Sequence, residues 1–136
     1  MSKNLVDICV NLTDEVFSGN EDSIIDEANQ KNITKMVLVG NDLKSSKKCQ
    51  ILAQKYNFFS TAGYHPHNAK EWDENSYTEL QKLIKFENVR AVGECGLDFN
   101  RNFSSPEIQH KVFAKHIDLA KETGLPLFVH ERDAFH

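Results

Sequence analysis

Several features are scarce or missing, and each narrows what the chain can be. Cysteine is sparse: Cys9, Cys49 and Cys95 are odd in number and widely spaced. That pattern is neither a disulfide framework nor a zinc knuckle, and it fits a reducing, intracellular setting. No apolar run approaches the roughly 20 residues that a membrane helix requires. Met1-Ser2-Lys3-Asn4 leads straight into a strand-like segment, without the charged start, apolar stretch and small-residue cleavage site of a secretory signal. The expected location is the cytoplasm, or also the nucleus in a eukaryote. A basic excess is missing too: 16 Lys+Arg face 20 Asp+Glu, a net charge of −4 with a pI near 5.8. This argues against a nucleic-acid binder held by a wide basic surface, but not against an enzyme that grips a few phosphates locally. There is no linker, repeat or biased tract. Neither G-x-G-x-x-G after a strand nor a Walker-type loop occurs, which weighs against dinucleotide binding and NTPase activity. A G-x-S-x-G nucleophile elbow is also absent. What is present suffices for a folded domain: 136 residues, 40% hydrophobic, with nine Phe, three Tyr and one Trp.

Along the chain, strand signals alternate with helix signals. Leu5–Val10 is a short apolar run with one Asp. Asn20-Glu21-Asp22 supplies a cap and an acidic first turn for a helix with Ile24, Ile25 and Ala28 on one face. Residues 36–39 form an apolar run ending at Gly40. Asp42 caps the next helix, whose Cys49, Leu52, Ala53 and Tyr56 share a side. Residues 58–62 are the third strand. Asn75 or Ser76 opens a helix bearing Tyr77, Leu80, Leu83 and Ile84. Val89, Ala91 and Val92 form the fourth strand, closed by Gly93. Ser105-Pro106-Glu107 starts a helix with Ser as cap and Pro at the first position. It carries Phe113, Ile117 and Ala120, flanked by Val112 and Leu119, and Gly124 and Pro126 stop it. Residues 127–129 are the fifth strand. The order βαβαβαβαβ predicts a parallel sheet covered by helices, with strands buried on both faces. Two architectures satisfy it: an open doubly wound sheet, or part of a (β/α)₈ barrel.

The chemistry-bearing residues follow the strands. Asn11 comes after the first, Asn41 and Asp42 after the second, His65 and His67 after the third, Glu94 and Asp98 after the fourth, and His130, Glu131, Arg132 and Asp133 after the fifth. In parallel α/β folds the carboxyl ends of all strands share one face, where active sites form. In Gly63-Tyr64-His65-Pro66-His67, the proline biases His65 toward an extended conformation. The two imidazoles suit a metal or a phosphate, or are ordinary loop histidines. In Gly93-Glu94-Cys95-Gly96-Leu97-Asp98, a carboxylate between glycines suits a hard divalent cation. The plainer alternatives are a cap or salt bridge for Glu94 and a turn residue for Asp98; Cys95 reads as packing. In Phe128-Val129-His130-Glu131-Arg132-Asp133, the His reads as a ligand whose ring a neighbouring carboxylate orients. Arg132 reads as a bidentate phosphate clamp, or as part of a solvated charge run. His110 and His116 read as structural or exposed. Trp72 reads as a cover over the site. His136 stands too near the end to interpret.

These stretches, with Asp7-Ile8-Cys9-Val10-Asn11-Leu12-Thr13, resemble the TatD family of metal-dependent deoxyribonucleases, in family order over nearly the whole chain; Gly-Glu-Cys-Gly-Leu-Asp is the most specific block. The resemblance implies a TIM-like barrel of the metal-dependent hydrolase type and a nuclease dependent on a divalent metal: magnesium, with manganese or zinc as alternatives. It implies Glu94 and His130 as metal ligands. It suggests His65 and His67 in the substrate or metal pocket; in the nuclease reading His65, His67 and Arg132 contact phosphate oxygens. The expected substrate is DNA, mostly single-stranded. Two departures stand out. Where many members carry Asp-x-His-x-His on the first strand, this chain has Cys9 and Asn11, as a branch with Asn-Leu-Thr there does. A barrel also runs to roughly 250 residues, so residues 1–136 are expected to be the N-terminal portion of one barrel domain. The general-base Asp is then expected beyond the chain end, with weak or no activity in this short chain. About five strands leave an open edge for self-association. The rival readings are another metal-dependent hydrolase of the same superfamily, acting on an amide, lactone or small phosphoester, and a non-enzymatic remnant of the fold.

Overall fold

The computed structural model describes residues 3–135; Met1 and Ser2 of the N-terminal reading, and His136, lie outside the described residues. Five strands, β1 (Leu5–Val10), β2 (Ile33–Leu38), β3 (Phe59–Ala62), β4 (Val89–Asp98) and β5 (Leu127–Arg132), alternate with four helices, α1 (Glu21–Gln30), α2 (Leu43–Tyr56), α3 (Ser76–Ile84) and α4 (Pro106–Thr123). Short 3₁₀ turns lie at Glu15–Phe17 and Pro66–Glu71. The sheet runs β1-β2-β3-β4-β5 with every pair parallel. Strictly sequential order has no reversal point. That rules out the doubly wound alternative and leaves a curled half of a βα barrel with its helices outside.

Helix starts follow their local chemistry. Asp42 accepts from Ser45 N–H at 2.6 Å, and the Ser45 hydroxyl accepts in return from Asp42 N–H, a reciprocal cap for α2. Ser105 caps α4 with Pro106 in its first turn, and Gly124, at φ 71°, ends it. Asn20 and Asn75 hold cap positions without side-chain capping bonds. The start of α3 is tied instead by Asp73, whose carboxylate accepts from Asn75 and Ser76 N–H.

Two apolar clusters divide the core. One gathers Leu12, Ile25, Met36, Leu38, Cys49, Ala53 and Phe58; the other gathers Ala62, Tyr64, Leu80, Leu83, Val92, Val112 and Leu119 around β3 and β4. The buried stripe of α4 is Gln109, Val112, His116, Leu119 and Ala120, with Phe113 and Ile117 half-buried beside it, so two polar side chains stand where the apolar count alone expects none. The outer strands depart from burial on both faces: Leu5, Val6 and Ile8 on β1 and Val129 on β5 are exposed, because neither strand has a neighbour on its outer side among the described residues.

The strand ends also differ from the apolar pattern. Gly93 does not close β4, which continues to Asp98, and β5 includes His130, Glu131 and Arg132. Gly93 and Gly96 are strand residues with φ 135° and 133°. A Cβ on either would meet a β5 carbonyl, Phe128 O at 2.3 Å or His130 O at 2.0 Å. Only glycine permits this approach, and through it Gly96 pairs in register with His130.

His116 is fully buried. Its Nε2 accepts from Tyr64 N–H at 2.9 Å and its Nδ1 donates to Val112 O at 2.8 Å. Burial pushes its pKa down to about 4. The unfolded chain therefore binds a proton that the native state refuses between about pH 6.5 and 4. Stability contributed by neutral His116 is complete above that window and is lost as pH falls through it. Urea unfolding across this range is expected to show His116→Gln flattening the dependence by about 1.4 kcal/mol per pH unit relative to wild type; equal slopes would contradict this role.

Candidate metal and phosphate centre

The carboxyl ends of β3, β4 and β5 bring three imidazoles and two carboxylates together. Pro66 holds His65 extended, at φ −57° and ψ 146°, and His65 caps the turn that carries His67. His65, Glu94 and His130 each offer a ligand atom, and these lie within 4.8 Å of one another. The His65 ring is 4.4 Å from those of both His67 and His130.

Hydrogen bonds set which ring nitrogens carry protons. Asp98 Oδ2 accepts from His67 Nε2 and from His130 Nε2, each at 2.9 Å. His130 therefore keeps its proton on Nε2 and turns the Nδ1 lone pair toward Glu94 Oε1, 3.4 Å away. This is the arrangement of a metal-ligating histidine, whose second nitrogen donates to a carboxylate. His65 is arranged oppositely. Its Nδ1 accepts from His67 N–H at 3.0 Å, so Nε2 bears the proton, 4.0 Å from Glu94 Oε1. Geometry alone admits three ligands; the tautomers make Glu94 and His130 the lone-pair donors and His65 a hydrogen-bond donor.

The ionisation states agree. Burial, then the neighbouring His130 and His67, push the His65 ring down to about 4, so it is neutral near pH 7. Burial raises the Glu94 carboxyl above its ordinary value. Asp98 is 0% exposed. Burial pushes its pKa upward, yet bonds from His130 and from Asn100 and Arg101 N–H hold it at about 2.

The site's support comes from residues the motifs did not single out. Gln109, on α4 and fully buried, accepts from Asp98 N–H at 2.8 Å and donates to the carbonyls of Asp98 and Ser104, both at 2.9 Å. Ser104 donates to His67 O and accepts from Lys70 N–H. One signal was available: Gln109 shares the α4 face of Val112 and His116 at helical spacing.

Of the sequence-predicted residues, His65, His67, Glu94 and His130 converge. Asp98 is a buried anchor that also holds the turn after β4, accepting from Asn100 and Arg101 N–H, and the carboxylate orienting His130 comes from β4 rather than from the adjoining charge run. Arg132 is exposed at the end of β5, in register with Asp98, and none of the cluster's ion pairs includes it. Cys95 is buried, its thiol pushed up to about 12 by burial, so it is packing. Trp72 packs against Tyr64 and His116 at 5.2 and 5.3 Å, beneath the histidine loop rather than over the site. His110 is exposed, against Phe99. Asn11 and Asn41 pair through their amides at 3.2 Å beside a cleft of about 640 Å³ that Lys44, Lys48 and Asn68 also line.

A parallel half-barrel with a histidine–carboxylate cluster at its carboxyl rim has the layout of a metal-dependent hydrolase. Comparison with known proteins is consistent with this. The family model described as TatD related DNase matches residues 6–136. The chain belongs to that family. It is 44% identical over 132 residues to the 3′-5′ ssDNA/RNA exonuclease TatD of Edwardsiella piscicida, covering 96% of this chain and 51% of that protein. Among solved structures it is similar to a TatD-family hydrolase from Entamoeba histolytica (28% identity, TM-score 0.89, covering 99% of this chain and 52% of that one). It is also similar to YJJV, a TatD homologue from Escherichia coli (27%, TM-score 0.87, 96% and 51%). The chain thus spans about half the length of the curated relatives it matches.

Replacing Gln109 with Leu keeps the volume and removes all three hydrogen bonds to the loop backbone. The expected cost is on the order of 3 kcal/mol, from orphaned buried backbone groups, measured by urea unfolding. Long-range ¹H–¹⁵N spectra of the histidine rings should also show His67 and His130 losing their fixed Nε2–H tautomers. Unchanged tautomers would show that Gln109 does not hold Asp98 in place.

Proposed function

We propose that the chain carries the cation- and phosphate-binding part of a metal-dependent nuclease acting on single-stranded DNA, as the N-terminal portion of a TatD-like barrel domain. The observation that carries this reading is the His130 ring, held by Asp98 so that Nδ1 faces Glu94 Oε1 at 3.4 Å. A carboxylate oxygen and an imidazole lone pair at that separation fit one divalent cation, magnesium in this reading, with manganese or zinc as alternatives. When bound, it supplies polarisation of a phosphodiester oxygen and a water of lowered pKa.

The chain's own residues do the rest. Glu94 and His130 hold the cation. His65, neutral through burial, donates Nε2–H to a phosphate oxygen without needing to be charged. His67 flanks the same phosphate, its ring steadied by Asp98, and Arg132 reaches a further oxygen from the end of β5. The cleft beside Asn11 and Asn41 gives the strand a path along the rim. No carboxylate of the cluster is free to act as general base, since Glu94 faces the cation and Asp98 is committed to two imidazoles. With two protein ligands the cation is loosely fixed, so slow or absent turnover is expected of these 136 residues. No helix among the described residues is long and apolar enough to cross a membrane, and a cytoplasmic location fits this reading. The outer edges of β1 and β5, unpaired among the described residues, support self-association.

Manganese titration calorimetry tests the centre. One site is expected, abolished by Glu94→Gln and weakened about 10- to 100-fold by Asp98→Asn. A Glu94→Gln protein that binds manganese as wild type does would falsify the assignment. Magnesium-dependent release of nucleotides from single-stranded DNA, sensitive to Glu94→Gln, would extend it to catalysis.

A further inference from the structure

Phe103 stands out in the β4–α4 loop. It is 53% exposed, yet the backbone on either side is fixed. On one side, Asp98 Oδ1 accepts from Asn100 N–H at 3.1 Å, and Asn102, at φ 47°, donates from its side chain to Phe99 O at 3.0 Å. On the other, Ser104 is buried, bonded through its hydroxyl to His67 O and through its carbonyl to Gln109. The Phe103 ring meets His67 edge to face, with centroids 5.0 Å apart and planes at 88°. The Arg101 guanidinium lies 6.0 Å from its centroid. An apolar ring held at the rim by a braced loop, beside a cation and one imidazole away from the phosphate cluster, has the composition of a stacking platform for single-stranded nucleic acid.

We infer that Phe103, flanked by Arg101, is the surface on which a nucleobase of the bound strand stacks. The inference rests on the nuclease reading and goes beyond it by naming a base contact. His67 separates Phe103 from His65, and the His65 and His130 rings are 4.4 Å apart. A nucleotide whose phosphate sits at the cluster therefore brings its own base, or that of its neighbour, over Phe103. Stacking accepts any base, because each has an aromatic face, so the contact contributes affinity without sequence preference. Arg101, over the ring at 6.0 Å from its centroid, adds a positive charge to the platform.

The test is fluorescence anisotropy on the full chain. It uses a phosphorothioate-linked oligothymidylate, which resists cleavage, in magnesium, together with the same oligomer made abasic. Wild type is expected to favour the base-bearing oligomer by about tenfold, within the range for loss of one stacked base. Phe103→Ala should lower that affinity to the abasic level and leave abasic binding unchanged; Phe103→Trp should restore it. Equal binding of the two oligomers by wild type, or equal losses on both in Phe103→Ala, overturns the stacking role and leaves the nuclease reading standing. Failure of wild type to bind either oligomer removes both. A Phe103→Ala protein that changes sedimentation behaviour instead of base preference makes Phe103 a contact between copies and also overturns the inference.

Discussion

The site depends on one buried carboxylate. Asp98 accepts from two imidazoles through a single oxygen while its other oxygen anchors the loop that follows. An ionised carboxylate out of contact with water is costly unless every lone pair is used. Here that cost is offset by charge-assisted bonds, and the same bonds fix the protons on His67 and His130. Tautomer, ring orientation and loop conformation thus follow from one interaction. Removing it would release both rings and leave His130 free to turn Nδ1 away from Glu94.

Asp98 is placed in turn by two features far apart in sequence. Gly93 and Gly96 let β4 lie against the carbonyls of β5, so the His130 ring is brought to the carboxylates of β4. Helix α4 holds the opposite side. Gln109 and His116, two turns apart on its buried face, bond to Asp98 N–H at the end of β4 and to Tyr64 N–H just past β3. One helix thereby sets the spacing between the strand end that carries the anchor and the loop that carries His65 and His67. Polar groups on a core face are expensive unless satisfied. Both of these are satisfied, by the very backbone that the site needs held still.

Much of this was legible in the sequence, for identifiable reasons. The alternation of apolar runs and capped helices predicts the parallel sheet. Pro66 predicts the extended His65, and the Ser-Pro start of α4 appears as expected. The positions of His65, His67, Glu94 and His130 at strand ends follow from parallel topology alone. What the pattern could not give were events that depend on three-dimensional register. Gly93 looks like a strand terminator because glycine usually weakens a strand; only the proximity of β5 turns it into a requirement. Asp98 reads as either a site carboxylate or a turn residue, because nothing local reveals that two imidazoles will enclose it. Gln109 has no motif at all, only a helical phase shared with Val112 and His116. The choice between open sheet and barrel needed strand order, which alternation does not encode.

The departure at the first strand now has a physical meaning. Where imidazoles would offer lone pairs, Asn11 instead pairs its amide with that of Asn41, across the ends of β1 and β2. A single bond, donated by the Asn41 amide N–H to Asn11 Oδ1, joins the two side chains, and a neutral amide offers a cation no nitrogen lone pair. The carboxylate and the oriented imidazole that face each other, Glu94 and His130, stand instead on β4 and β5, away from the exposed first strand. The Asn41 oxygen stays buried without a partner among the described residues. The cleft beside this amide pair is lined by side chains of both charges, Asp14, Glu15, Asp42, Lys44 and Lys48, while the ring protons of the histidine cluster are set by Asp98. The difference between the two ends follows from which side chains each βα unit carries to its carboxyl end.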